Sequence, residues 1–104
     1  MQESIYIVVT TVDREQVATA MARGAVRANL APCAQVEPPM TSHYIWEGQL
    51  KEEKEVRVVF KTAESGLSRL MEWIRAGHPY SVPELVAWRA DSSDPDYRKW
   101  VQGG

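Results

Sequence analysis

Apolar positions along this chain follow two periods that alternate in blocks. Ser4–Val12 (SIYIVVTTV) is dense in β-branched residues, the pattern of a buried strand. Val17, Ala18, Met21, Ala22, Ala25 and Val26 then recur at helical spacing and predict a helix over Arg14–Asn29. Asp13, with Gln16 three residues on, resembles a capping box at its start, and Pro32 bars continuation. A second extended stretch runs from Cys33 to Trp46. Pro38-Pro39 inside it predicts a bulge, bend or edge, because proline has no ladder donor. Glu47-Gly48 is a turn signal. Gln49–Ala63 reads as a strand with Val56, Val58 and Phe60 inward and Glu55, Arg57 and Lys61 outward. Val59 interrupts the outward polar set and implies that this face is partly covered too.

Leu67, Leu70, Met71 and Ile74 predict a second helix over Ser65–Ala76, with Gly77 as its C′ residue and Pro79 beyond it. Leu85–Ala90 reads as a further strand. Asp94-Pro95 marks the start of a short terminal helix with Tyr97, Trp100 and Val101 on its apolar face, and Gly103-Gly104 is expected to fray.

The order is β-α-β-β-α-β plus a terminal helix. It predicts an α+β, ferredoxin-like sandwich with both long helices on one face of a four-stranded antiparallel sheet. The right-handed crossover leaves a gap between the first two strands, and the third fills it. One domain over residues 1–104 is expected. Such a domain has a radius of gyration of roughly 13 Å, so a diameter of about 34 Å. The stretch from Cys33 to Trp46 would reach about 46 Å fully extended. The hairpin end carrying Tyr44, Ile45, Trp46 and Leu50 should therefore project, and its simplest cover is another copy of the chain.

Composition narrows the function. The 104 residues are 44% hydrophobic and 25% charged, an ordinary globular balance. Twelve Lys and Arg against 14 Asp and Glu leave a net charge of −2, with no basic field for nucleic acid. The longest aliphatic-aromatic run, Ile5–Val9, is far short of the about 20 residues a membrane helix needs. The segment MQESIYIVV lacks the basic start and long apolar stretch of a signal peptide. Cys33 is the single cysteine, which excludes an intrachain disulfide and a four-cysteine zinc site and fits a reducing, cytoplasmic setting.

Few residues stand out chemically. Cys33 is either a small buried hydrophobe or a thiolate ligand for a soft metal such as Cu(I). His78-Pro79-Tyr80 is either a chain reversal or, with Glu84, a polar cluster able to hold a metal or polar ligand. Glu52–Glu55 reads as a solvated strand start. Trp46, Trp73, Trp88 and Trp100 read as core or interface anchors. No nucleophile–base pattern or Gly-rich phosphate loop stands out, so no enzyme is expected.

Four segments in order, HYIWEG (His43–Gly48), EVRVVFKT (Glu55–Thr62), HPYSVPE (His78–Glu84) and DYRKW (Asp96–Trp100), resemble the CutA family of divalent-cation tolerance proteins over about residues 4–101. The resemblance implies a ferredoxin-like fold and a tight homotrimer with hairpins paired between subunits, similar in plan to PII-like signalling proteins. Cys33 matches a family cysteine in a segment like AACVN, although Pro32 and Ala34-Gln35 depart from it. His78, Tyr80, Pro83 and Glu84 match the family's HPYxxPE segment, and Trp46, Gly48 and Lys61 match its hairpin. The expectation is a protein without an obligatory cofactor that binds copper or another divalent cation weakly, with Cys33 and His78 as ligands. A ligand pocket at a subunit boundary is expected to contain Trp46, Lys61, His78, Tyr80 and Glu84. The alternative is a signalling or scaffold trimer that takes a small anion or a protein partner in its intersubunit clefts.

Overall fold

The β-branched run forms β1, Ile5–Val12, at the centre of the sheet in a computed structural model that describes residues 3–103. Helix α1, Glu15–Arg27, follows, then β2, Cys33–Val36. The chain breaks at Glu37-Pro38-Pro39 and resumes as β3, Met40–Trp46, so the prolines split the long stretch into two strands. Strand β4, Gln49–Ala63, has the predicted bounds. A 3-10 turn at Glu64–Gly66 leads into α2, Leu67–Gly77; β5, Leu85–Arg89, and α3, Pro95–Val101, complete the order.

The strand path is β2-β4-β1-β5, antiparallel throughout, and β3 pairs with the outer half of β4. β4 fills the gap between β1 and β2, as the crossover argument requires. Register puts Val8 opposite Phe60 and Val12 opposite Val56. These side chains share one face, and they pack in one cluster with Ala18, Met21, Ala22 and Ala25 of α1 and Leu70 and Ile74 of α2. Both helices therefore cover the same face. The opposite face carries Ile7, Val9, Val59, Val86 and Trp88.

Three local expectations are corrected. Asp13 does not cap α1: the N-cap position is Arg14, in extended backbone and without a side-chain cap, because pairing carries β1 on to Val12. Gly77 is not a left-handed C′ residue but the last residue of α2. His78 leaves the helix in extended backbone (φ −74°, ψ 135°), as a residue before proline is forced to do. On α3 only Val101 is buried, while Tyr97 and Trp100 stack on each other at 5.8 Å and stay partly exposed. The Asp94 cap holds, its Oδ2 accepting from the Tyr97 backbone N–H at 3.0 Å. Met1, Gln2 and Gly104, part of the readings of the two termini, lie outside the described residues.

The hairpin projects as its length demanded. The long dimension is 47 Å against 26 and 23 Å for the other two. Ile45 is 66% exposed and Leu50 64%. At the tip Glu47 and Gly48 both have positive φ, 52° and 78°, the signature of a type I′ two-residue turn.

Candidate functional site

The extended backbone at His78 turns its ring against the C-terminal end of β1. Its Nδ1 accepts the Tyr80 backbone N–H at 3.1 Å. The proton therefore sits on Nε2, which lies 3.0 Å from both the Thr11 carbonyl and the Thr10 hydroxyl. Thr10 Oγ1 in turn donates to the Glu84 carbonyl at 2.6 Å. Burial lowers the His78 pKa, helped by Arg75 and opposed by the Thr11 carbonyl and Glu55. Thr10 is fully buried and its proton is committed to Glu84, so the Thr10–His78 contact braces the loop and activates no nucleophile.

Tyr80 extends this brace. Its hydroxyl donates to Glu55 Oε2 at 2.8 Å, and its ring lies tilted 5.0 Å from the His78 ring. Burial, then the Glu55 carboxylate, raises the Tyr80 pKa, so the phenol remains a donor. Glu55 is only 9% exposed although it points away from the helices. It stands where β4 exchanges β3 for β1 as its partner: Glu55 pairs with Met40 and Val56 with Val12.

A cleft of about 710 Å³ opens between this brace and the root of the hairpin. Tyr44, Trp46 and Tyr80 contribute aromatic wall, and Asp13, Glu53, Glu55 and Glu84 contribute carboxylates. Its one lysine, Lys54, donates to Thr41 Oγ1 at 3.1 Å, and His43 stands 3.3 Å from Glu52. The cleft is thus acidic and aromatic.

Of the sequence-predicted pocket residues, Trp46, Tyr80 and Glu84 line this cleft, and His78 stands behind Tyr80 as its support. Lys61 does not join them. It lies far along β4, opposite Cys33 and Ile7 in register, with its ammonium on Gln35 Oε1. Cys33 lies there too, beside the Tyr97 hydroxyl, whose pKa is raised by burial and then by the thiol. Thr11 is four residues from Ile7 along β1, about 13 Å, and Cys33 is two strands across, about 10 Å more. Cys33 and His78 therefore share no site within one chain. Among the described residues no three of His, Cys, Asp and Glu converge to hold a metal. A metal at His78 has to displace either the Tyr80 N–H or the Thr11 carbonyl. A closed metal site does not fit one chain.

Sequence reasoning missed Glu55, Thr10 and Thr11. Glu55 was concealed in a charge run that looked solvated. The two threonines were legible as polar interruptions at the end of an apolar strand, which calls for partners once buried.

Comparison with known proteins agrees with this architecture. Residues 6–103 match the family model of the CutA1 divalent ion tolerance protein. The chain is 42% identical to the Xenopus laevis protein CutA homolog over 91 residues, 88% of this chain and 60% of that one. It is 35% identical to the Thermus thermophilus divalent-cation tolerance protein CutA, over 92% of this chain and 93% of that one. It spans a little over half of the Xenopus and mouse relatives it matches. Among solved structures, a Thermus thermophilus divalent cation tolerance protein superposes with a TM-score of 0.90 at 34% identity, covering 95% of this chain and 96% of that one. CutA from Synechococcus elongatus gives 0.90 at 34%, covering 96% and 88%. With a ferredoxin-like fold, the matched segments in order and relatives of this similarity, the chain belongs to the CutA1 divalent ion tolerance family.

Proposed function

We propose that this chain is a homotrimeric, cytoplasmic divalent-cation tolerance protein that binds copper or another divalent cation weakly. The observation that carries the weak binding is the dispersal of donors: one thiolate at Cys33, an imidazole at His78 already engaged on both nitrogens, and carboxylates in an open cleft. Such incomplete, mixed sets favour Cu(II) over Zn(II) by the usual divalent order but lack the affinity of a closed site. Assembly is supported by apolar surface left uncovered on the hairpin and on the open sheet face, where Trp88 is 48% exposed. The unpaired thiol fits a reducing compartment. We assign no catalytic residue.

The test is calorimetric titration of Cu(II) into the wild type, Cys33→Ser and His78→Ala at neutral and acidic pH. The expected result is weak binding that falls at acidic pH and weakens further in the variants. If neither substitution changes copper affinity, Cys33 and His78 are structural. The signalling or scaffold reading is favoured by one observation, a cleft in the size range of small-molecule sites. The carboxylate excess of that cleft disfavours an anion as its occupant.

A further inference from the structure

The cleft at the hairpin root is too large and too aromatic for a bare metal ion. A divalent ion with six waters occupies roughly 180 Å³, at about 30 Å³ for each water. The cleft offers about 710 Å³. Its walls come from alternation. Tyr44 and Trp46 are two residues apart on β3 and so share one face of the hairpin. The register adds Glu53 and Glu55 of β4 to that same face, opposite Ser42 and Met40. The loop after α2 closes the other side with Tyr80 and is held in place by the His78 brace.

Aromatic rings coordinate no divalent metal through their faces, but they attract ammonium groups through the ring quadrupole. Carboxylates add a second attraction and repel anions. Glu55 is the pivotal one, because it is more than nine-tenths buried and so only weakly screened. Its Oε2 accepts from the Tyr80 hydroxyl. Neither basic residue of the cleft pairs with it: Lys54 keeps its charge but sits on the Thr41 hydroxyl, and His43 faces Glu52.

We infer that this cleft is a binding site for a small organic cation, an ammonium group seated against Tyr44, Trp46 and Tyr80 and paired with Glu55. This goes beyond the metal reading and does not depend on it. Cys33 lies elsewhere, and the ring faces take no part in metal ligation.

The probe is choline, with the uncharged isostere 3,3-dimethyl-1-butanol as its control. Both are titrated into the assembled protein, followed by calorimetry and tryptophan fluorescence. Choline should bind at least tenfold more tightly than the isostere, and raising the salt should weaken it only modestly, because Glu55 is buried. Glu55→Gln keeps an acceptor for Tyr80 but removes the charge, and should weaken choline at least fivefold. Tyr44→Leu should weaken it at least threefold. Sedimentation of each variant must match the wild type; if Tyr44→Leu changes assembly, Tyr44→Phe, which keeps the ring, should retain choline affinity. Equal binding of choline and the isostere overturns the proposal. So does a Glu55→Gln effect below twofold, or displacement of choline by magnesium ion as effectively as by tetramethylammonium. A copper titration in parallel separates the two readings, since loss of copper binding alone leaves the choline result standing.

Discussion

The Tyr80 hydroxyl donates to Glu55 Oε2 at 2.8 Å, tying the loop after α2 to the point where β4 passes from the hairpin into the sheet. The contact joins residues far apart in sequence and closes one side of the cleft. Hydrogen bonds to charged groups contribute about 1.5–3 kcal/mol when buried. Tyr80→Phe should lower stability by about 1–2 kcal/mol, because the tyrosine side of the bond is only partly buried. Glu55→Gln should cost less, since an amide oxygen still accepts. Urea midpoints at fixed protein concentration decide it, and a Tyr80→Phe protein as stable as the wild type would deny the bond any net contribution.

His78 makes stability depend on pH with a definite sign. Burial, the largest cause, lowers its folded pKa below the ordinary value of 6.5. A protonated ring could no longer accept the Tyr80 N–H. The unfolded chain then binds more protons than the folded one in the interval between the two pKa values. The stabilisation is therefore complete above about pH 6.5 and is lost as the pH falls through the lowered folded value. Denaturant midpoints between pH 8 and 5 should decline over this interval in the wild type and flatten in His78→Gln. An imidazole titration by NMR with its midpoint above 6.5 contradicts the assignment.

The hairpin tip carries correctable strain. Glu47 sits at φ 52° and Gly48 at φ 78°. A type I′ turn favours Asn-Gly, and a side chain in the left-handed region costs about 1–2 kcal/mol unless it is Asn or Asp. Glu47→Asn should stabilise by about 0.5–1 kcal/mol and Gly48→Ala should destabilise by about 1 kcal/mol or more. Thermal unfolding of the two variants should move in opposite directions; movement of both the same way means that this turn is not the one formed in solution.

Assembly is the fourth expectation. Sedimentation should give three chains of 11.8 kDa each at micromolar concentration. Each subunit should lose well over about 1,000 Å² of surface. Trp46→Ala, which removes a half-exposed aromatic anchor from the projecting hairpin, should shift the distribution towards smaller species. A wild-type monomer at that concentration would refute the trimer.

Local pattern determined most of the fold. The element order, the proline break at 38–39, the span Gln49–Ala63, the Asp94 cap and the projecting hairpin all follow from periodicity, backbone restrictions and chain length. These are properties of neighbouring residues, so the sequence alone expresses them. The site was legible only in part. Trp46, Tyr80 and Glu84 were marked and do line one cleft, with His78 behind them. Lys61 was marked with them and lies with Cys33 at another part of the sheet, because strand register decides which distant residues meet. Glu55 shows the same limit from the other side. In a row of acidic residues nothing distinguishes it from Glu53, and only the change of strand partner at position 55 buries it beneath Tyr80. The tautomer of His78 is fixed locally by the Tyr80 N–H, but burial and pairing depend on contacts across more than 20 residues of chain, and those are set by tertiary packing.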